Sequence, residues 1–230
     1  MALKFENKID AGSCKFGTNI LIMTSVQAER DAILAGLAGH NSFNVQLAGV
    51  GPISAAIKTT KALATGQYQL VISAGIAGGF AERAEVGSLV VGSYMVAADL
   101  GVETLNGFNS LDMLGFGSTE IQGEAALIEG ITGALRAGNV PVNIGPILTV
   151  ATATGTAERA VELARRVPGA TAEAMEGFGV ALAAKEYGAK VMELRAISNL
   201  VGPRDRAAWR IEDALKALTA AMSVLPEVLL

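Results

Sequence analysis

The chain has 230 residues and a mass of 23.5 kDa, and 51% of its residues are hydrophobic while only 17% are charged. A chain this long and apolar can bury a core without disulfide support, which excludes a disordered protein. The formal net charge of −4 excludes a basic surface for nucleic acid or an anionic membrane, and apolar runs such as 45–50 and 70–74 are far shorter than the roughly 20 residues of a membrane span.

Residues 1–18 mix charges with glycines and lack the apolar segment of a signal peptide. We expect a flexible N-terminal extension there, ahead of a folded domain at 19–230. Cys14 is the only cysteine of the chain, so neither an internal disulfide nor a cysteine cluster for a metal is expected. A single incidental thiol fits the reducing cytoplasm, where we expect the protein to act.

From residue 19 onward, apolar runs that predict strands alternate with segments that predict helices. The sequence predicts strands at 19–24, 43–50, 69–74, 89–98, 145–153, 171–175 and 191–198, and helices after Ser25 and at 51–64, 125–137, 157–166, 178–186 and 207–224. The segment 75–79 is predicted to be a turn, and 99–117 a loop. This alternation predicts a single three-layer α/β/α domain with a mostly parallel central sheet.

The single histidine, His40, lies in a polar stretch at 40–42 and is predicted to be a solvated loop residue. A histidine-ligated metal site and a Ser-His-Asp triad are therefore not expected. The sequence predicts no metal and no cofactor. Any catalysis would depend on carboxylates, amides, hydroxyls and the backbone.

The segment 49–54, Gly-Val-Gly-Pro-Ile-Ser, imitates a dinucleotide-binding fingerprint because it joins a predicted strand to a predicted helix. The third glycine is missing, and the next strand, 69–74, does not end in the acidic residue that ribose recognition needs. We therefore interpret this segment as a tight turn.

Ligands of open parallel sheets bind beyond the carboxyl ends of the strands. The candidates expected at that rim are Glu29, the glycine-rich segment 75–79, Thr154, Met175 with Glu176, and Asn199. Each has an ordinary structural interpretation as well: the glycines can form a turn, Glu176 can complement a helix dipole, and Asn199 can occupy a turn. The residue types alone leave these alternatives open.

Four motifs together give the sequence a resemblance to a known family. Residues 172–177, followed by Arg-Ala-Ile-Ser-Asn at 195–199, resemble the Met-Glu-Gly and Arg-Ala-Ile-Ser-Asp motifs of the purine nucleoside phosphorylase/nucleosidase superfamily. Residues 72–79 resemble its glycine-rich strand end, and 25–29 the acidic helix start of its methylthioadenosine/adenosylhomocysteine nucleosidase branch. The segments 195–206 and 98–104 are similar to the futalosine hydrolase branch.

The resemblance implies a role for each candidate residue. It places Glu29 where the nucleosidases activate water, and Glu176 where they bind the ribose hydroxyls. It places Met175 against the sugar, and Gly78 with the backbone around Thr154 on the purine. Thr154 departs from the family because it replaces a larger residue beside the base. Two carboxylates suit the reaction, since ribosidic cleavage builds positive charge on the sugar.

Asn199 stands where the nucleosidases have an aspartate, the proton donor to purine N7. An amide cannot donate a proton as an acid, so protonation of the leaving group must differ here. Its NH₂ group can donate to both O6 and N7 of a 6-oxopurine, whereas adenine presents a donor at N6. The sequence therefore favours hypoxanthine as the leaving base.

The 5′ substituent of futalosine ends in a benzoate, which needs an aromatic contact and a cationic partner. The resemblance places Trp209 in the pocket for this substituent, and Arg204 or Arg206 is expected to pair with the carboxylate. Asp205 offers the structural alternative, because it could pair with either arginine and merely fix the loop.

The resemblance implies hydrolysis of the N-ribosidic bond of futalosine in menaquinone biosynthesis, with a nucleoside and water as the small-molecule partners and with no nucleic acid or membrane. A methylthioadenosine/adenosylhomocysteine nucleosidase, a purine nucleoside phosphorylase and a non-catalytic nucleoside-binding protein are the alternatives. The phosphorylase is disfavoured because Glu29 would repel phosphate. The resemblance also implies a homo-oligomer in which the segment Thr104–Gly117 covers a neighbour's site.

Overall fold

The computed structural model describes residue 17 and residues 19–230. The expected extension at 1–18, apart from residue 17, and Cys14 lie outside the described residues. The described strands are β1 (Ile20–Thr24), β2 (Phe43–Leu47), β3 (Leu70–Gly79), β4 (Leu89–Ala97), β5 (Gly101–Thr104), β6 (Gly107–Ser110), β7 (Glu120–Gln122), β8 (Val142–Thr149), β9 (Ala172–Ala174) and β10 (Lys190–Leu200).

The described helices are α1 (Gln27–Leu37), α2 (Pro52–Thr65), α3 (Leu111–Leu114), α4 (Ala125–Ala137), α5 (Ala157–Arg166), α6 (Gly177–Glu186) and α7 (Ile211–Leu229), with a 3₁₀ turn at Arg206–Ala208. His40 lies exposed in the loop between α1 and β2, as predicted. In the described part of the chain, no helix combines the length and the apolar character needed to cross a membrane.

The central sheet has eight strands in the order β10-β4-β8-β9-β3-β1-β2, with β7 beside β4. Because β10 also pairs with β3, the strands β10, β4, β8, β9 and β3 form a closed ring. The glycine-rich strand β3 takes part in this closure because it changes partner along its length. Its first residues pair with β1, and its last residues pair with β9.

The sheet is mixed, so the prediction of a mostly parallel sheet is only partly right. Among the described residues it has five parallel pairings and three antiparallel ones, β10 with β4, β3 with β9, and β4 with β7. A parallel crossover needs a dozen or more residues, usually a helix. The connection from β3 to β4, residues 80–88, contains no helix. It is therefore too short for β4 to pair with β3 as a parallel neighbour.

Helices cover both faces of the sheet, as a three-layer architecture requires. Alternate residues of β1 face opposite layers, because successive side chains of a strand point to opposite sides. Ile20 and Ile22 pack with α1, α4 and α7, whereas Leu21 and Met23 pack with α2 and α6. Burying an aliphatic side chain of this size contributes about 1.5–3 kcal/mol, so these two clusters hold the layers together.

Three predicted boundaries are wrong in ways that affect the site. Residues 75–79 are not a turn but the end of β3, where the strand pairs with β10 on one side and, at Gly78 and Gly79, with β9 on the other. Asn199 lies within β10 rather than after it, beyond an irregularity at 197–199. Segment 99–117 is not a loop, because it contains the β5–β6 hairpin and the short helix α3.

Candidate active site

A cavity of about 430 Å³ opens at the carboxyl ends of β1, β3, β9 and β10, within the roughly 300–1,000 Å³ that small-molecule sites occupy. Eight of the nine predicted site residues line it: Glu29, Gly78, Thr154, Met175, Glu176, Asn199, Arg204 and Trp209. Arg206 does not, and instead borders a separate surface cavity next to α7. The tertiary structure thus brings together residues that are up to 180 positions apart in the chain (29 and 209).

Glu29 reaches the cavity from the first turn of α1, and its side chain is buried. One carboxylate oxygen, Oε2, accepts hydrogen bonds from Thr24 Oγ1 (2.9 Å) and from the backbone N–H groups of Ser25 (2.9 Å) and Val26 (3.2 Å). The other, Oε1, accepts from the backbone N–H of Ile76 in β3 (2.8 Å). These four bonds hold the carboxylate in one orientation at the cavity wall.

Glu176 precedes α6 and is also buried. Its Oε1 accepts from the backbone N–H of Gly51 (3.2 Å), and its Oε2 lies 3.3 Å from Nη2 of Arg195. Arg195 lies in β10 with its side chain almost fully buried, and its Nε donates to Glu193 Oε1 (2.8 Å). One buried cation is therefore shared by two buried carboxylates.

The charges of this buried group alter its acid–base properties. Burial raises the pKa of Glu193 to about 7, although Arg195 beside it acts in the opposite direction. Burial alone would lower the pKa of Arg195, but Glu193, Glu176 and Glu29 together raise it above its usual range. Arg195 therefore stays cationic, and the carboxylates outnumber it.

Gly177 is required at the start of α6 by the position of Glu193. A Cβ built on Gly177 would lie 2.0 Å from Glu193 Oε2, closer than any real contact. The helix that carries Glu176 can therefore approach β10 only because residue 177 has no side chain.

The amide of Asn199 has a defined orientation. The Ser198 hydroxyl donates to Asn199 Oδ1 (2.8 Å), and Asn199 Nδ2 donates to the backbone oxygen of Leu200 (3.0 Å). An amide NH₂ has two N–H donors. One of them is used by Leu200, and none of the described residues accepts a hydrogen bond from the second.

Thr154 contacts a carboxylate that the sequence analysis did not select. Its backbone N–H donates to Glu173 Oε1 (2.8 Å), and its hydroxyl donates to Glu173 Oε2 (2.5 Å). Glu173 lines the cavity and is 8% exposed. Burial raises its pKa, while the hydrogen bonds from Thr154 and the charge of Arg159 act against that rise and Asp99 adds to it.

Trp209 closes one side of the cavity after the 3₁₀ turn. The guanidinium carbons of Arg204 and Arg206 lie 5.2 Å and 5.9 Å from the centre of its ring, within cation–π distance. Asp205 accepts from the backbone N–H of Ala207 (3.1 Å), so its carboxylate caps the 3₁₀ turn. Of the two arginines, only Arg204 faces the cavity.

Three charged residues were missed by the sequence analysis as parts of the site: Glu173, Glu193 and Arg195. A signal for two of them was present, because Glu193 and Arg195 are two residues apart in a mostly apolar strand and therefore share a face. Unpaired charges are rarely buried, so such a pair indicates a partner nearby. Among the described residues, no group of three or more His, Cys, Asp or Glu side chains is arranged to hold a metal ion.

The sequence model of the phosphorylase superfamily matches residues 21–230 of this chain. Two curated relatives are each 47% identical to it. One, a futalosine hydrolase of Streptomyces coelicolor, aligns over 92% of this chain and 96% of its own length. The other, a futalosine hydrolase of Acidothermus cellulolyticus, aligns over 89% of each chain.

The fold has solved counterparts as well. The native structure of futalosine hydrolase of Helicobacter pylori superposes with a TM-score of 0.80, covering 91% of this chain and 98% of that one at 18% identity. At this identity the likeness concerns the fold alone.

Proposed function

The chain belongs to the phosphorylase superfamily and, within it, to the futalosine hydrolases, and from this premise we propose that it hydrolyses the N-ribosidic bond of futalosine. The products are hypoxanthine and dehypoxanthine futalosine, and the reaction belongs to menaquinone biosynthesis. The enzyme is a nucleosidase, an N-glycosyl hydrolase. The observation that carries the proposal is the pair of carboxylates, Glu29 and Glu176, fixed in one cavity.

Glu29 is suited to activate water. Four hydrogen bonds fix its carboxylate, so it need not reorient during the reaction. As the water oxygen bonds to C1′, Glu29 takes one of its protons, and such a base contributes about 10²–10⁴-fold to the rate. The electrons of the C1′–N9 bond pass to the purine, which takes up a proton, so that the net reaction adds one water molecule.

Glu176 is suited to stabilise the sugar as the bond breaks. The ribosyl group develops positive charge, and a buried carboxylate stabilises that charge more strongly than one in water. Arg195 neutralises only part of the negative charge of Glu176, Glu193 and Glu29. The same carboxylate can accept hydrogen bonds from the ribose hydroxyls, with Met175 against the sugar.

Asn199 can replace an acid at the leaving group by hydrogen bonding. Its free N–H can donate to O6 or N7 of hypoxanthine, which spreads the negative charge that develops on the base. At position 6 this donor fits the O6 acceptor of a 6-oxopurine and would meet the N6–H₂ donor of adenine, and that difference disfavours a methylthioadenosine/adenosylhomocysteine nucleosidase.

The charge of the cavity favours water over phosphate as the nucleophile. Its described lining includes three carboxylates, Glu29, Glu173 and Glu176, and a single cation, Arg204. A phosphorylase needs to bind an anion close to C1′. Glu29, which follows the turn after β1, would repel such an anion while suiting water.

The proposal is tested by incubating the protein with futalosine and with inosine, and by measuring free hypoxanthine by chromatography. A hydrolase releases hypoxanthine equally with and without phosphate. Release that requires phosphate would make the protein a phosphorylase, and binding without release would make it a nucleoside-binding protein. Glu29→Gln prepared in parallel controls for contaminating nucleosidases.

We also propose a homo-oligomer in which the segment Thr104–Gly117 contacts a second copy. Leu105, Met113 and Phe116 on this segment are 107%, 72% and 78% exposed, and apolar side chains grouped on a surface mark interaction sites. Light scattering of the purified protein tests the state: a monomeric mass would contradict it. Action in the cytoplasm stays a prediction from the single cysteine.

A further inference from the structure

Glu173 is a buried carboxylate at the cavity that the mechanism above does not use. It lies in β9, where it is the register partner of Gly78 in β3. Gly78 has a second partner on its other side, Asn199 in β10. Glu173 and Asn199 therefore flank the same glycine from opposite sides.

The register also fixes the direction of the two side chains. Directly paired residues of neighbouring strands place their side chains on the same face of a sheet, and neighbouring strands are about 4.8 Å apart. The Cα atoms of Glu173 and Asn199 are therefore separated by about 10 Å across Gly78. All three residues line the cavity. Residue 78 has no side chain between the other two, and Val201 lies beside it, with its Cγ2 atom 3.0 Å from the position that a Cβ of residue 78 would take.

The two side chains differ in what they offer to a ligand. Glu173 accepts two hydrogen bonds from Thr154, and a carboxylate has about four acceptor positions, so acceptor capacity remains. Asn199 has a free N–H donor, because Ser198 binds its oxygen and Leu200 takes only one N–H. The backbone N–H of Thr154 donates to Glu173 and is therefore not free to donate to a base.

A 6-oxopurine matches this arrangement. Along one edge it presents two acceptors, N7 and O6, followed by the donor N1–H. Adenine presents the acceptor N7, the donor N6–H₂ and the acceptor N1 along the same edge. A donor at Asn199 and an acceptor at Glu173 are complementary to the first edge, whereas Glu173 would face a lone pair at N1 of adenine.

We propose that Glu173 accepts a hydrogen bond from N1–H of the 6-oxopurine while Asn199 donates to O6 or N7, so that the two residues together select a 6-oxo base over a 6-amino base. The inference rests on the proposed function in taking the base in this cavity to be a purine. It assigns to Glu173 the recognition of the base, with Thr154 as the residue that positions its carboxylate.

The test compares free bases, which need no turnover to bind. Dissociation constants for hypoxanthine and adenine are measured by calorimetry at one fixed pH for the wild type, Glu173→Gln and Glu173→Asp. In Glu173→Gln, Thr154 N–H still has an oxygen to bind, and the new NH₂ turns a donor toward N1. Glu129→Gln, an exposed change on α4, is the matched control.

We expect the wild type and Glu129→Gln to prefer hypoxanthine. In Glu173→Gln the ratio of the two affinities should shift toward adenine by about tenfold or more, as expected for a mispaired buried polar group. Glu173→Asp, which keeps the charge but withdraws it by one methylene, should weaken hypoxanthine more than adenine.

A purely structural role for Glu173 would weaken both bases equally and leave their ratio unchanged, and that result would overturn the proposal. A wild type without preference for hypoxanthine would overturn it as well. Should Glu173→Gln fail to fold, the ratio in Glu173→Asp decides. Absence of futalosine cleavage by the wild type would instead count against the proposed function, so the two failures are distinguishable.

Discussion

Arg195 Nη2 lies 3.3 Å from Glu176 Oε2, and both side chains are almost completely buried. The same guanidinium donates through Nε to Glu193 and through Nη2 to Ser73 Oγ (3.1 Å). Arg195 therefore holds Glu176 in place at the cavity without lining the cavity itself. Both side chains are buried, so water does not screen the pair. Removing one member of such a buried pair leaves an uncompensated charge and costs about 3–5 kcal/mol.

The first prediction concerns the pH dependence of stability. The pKa of Glu193 is about 7 in the folded protein, against an ordinary value of 4.5. Between these values the folded state binds more protons than the unfolded state, so the free energy of unfolding should fall as the pH rises through this window. This decrease in the free energy of unfolding is on the order of 1–3 kcal/mol, and we expect it to be absent from Glu193→Gln.

Chemical denaturation of the wild type and of Glu193→Gln at several pH values between 4.5 and 8 measures this effect. The difference between their slopes is the relevant quantity, because Glu173 also has a raised pKa and contributes to both proteins. Arg195 and Glu176 face residue 193 in both proteins too. Parallel slopes would show that Glu193 is already ionised at the lower end of this range.

The second prediction concerns water activation. Glu29→Gln should lower kcat by about 10²–10⁴-fold, since the amide cannot take a proton from water. Binding of hypoxanthine should change little, because Glu29 is assigned to the water and not to the base. Hypoxanthine release and calorimetric titration measure the two quantities separately.

The same variant should also lose some stability. Whichever way the new amide turns, its NH₂ group faces a donor of the set that now binds Glu29, which costs about 1–3 kcal/mol. A folded Glu29→Gln protein with the kcat of the wild type would remove Glu29 from the chemistry.

The third prediction concerns the leaving base. Asn199→Asp places a carboxylate oxygen 3.0 Å from the backbone oxygen of Leu200, where an N–H now donates. Turnover of inosine should fall by about 10- to 100-fold, and the relative activity on adenosine should rise. Rates on the two nucleosides measure the preference, and an unchanged ratio would mean that residues other than Asn199 read the base.

The fourth prediction concerns the 5′ substituent, and the structure supplies its own control. Arg204 lines the cavity next to Trp209, whereas Arg206 touches Trp209 from outside it. Arg204→Ala should raise KM for futalosine by about 10- to 100-fold, as for loss of a charge-assisted hydrogen bond, and leave KM for inosine unchanged. Arg206→Ala should change neither.

Steady-state kinetics of both variants on both substrates decide between the arginines. If Arg206→Ala raised KM for futalosine and Arg204→Ala did not, Arg206 would be the partner of the benzoate. Equal effects of Arg204→Ala on futalosine and inosine would indicate that Arg204 only supports Trp209.

The sequence by itself determined the α/β class, most element positions and eight residues that meet in one cavity. These came from local information: apolar periodicity marks strands and helices, and polar residues after strands mark the rim of a sheet. Glu29 and Asn199 could be selected because motifs keep residue type and order, even where the pairing of strands is unknown.

Only the tertiary structure decided which residues become partners. The closure of β10 onto β3 and the antiparallel pairing of β9 place Asn199 and Glu173 on either side of Gly78. The burial that raises the pKa of Glu193 and the separation of Arg204 from Arg206 likewise depend on packing. Strand register and desolvation arise from contacts between distant segments, and a local pattern does not encode them.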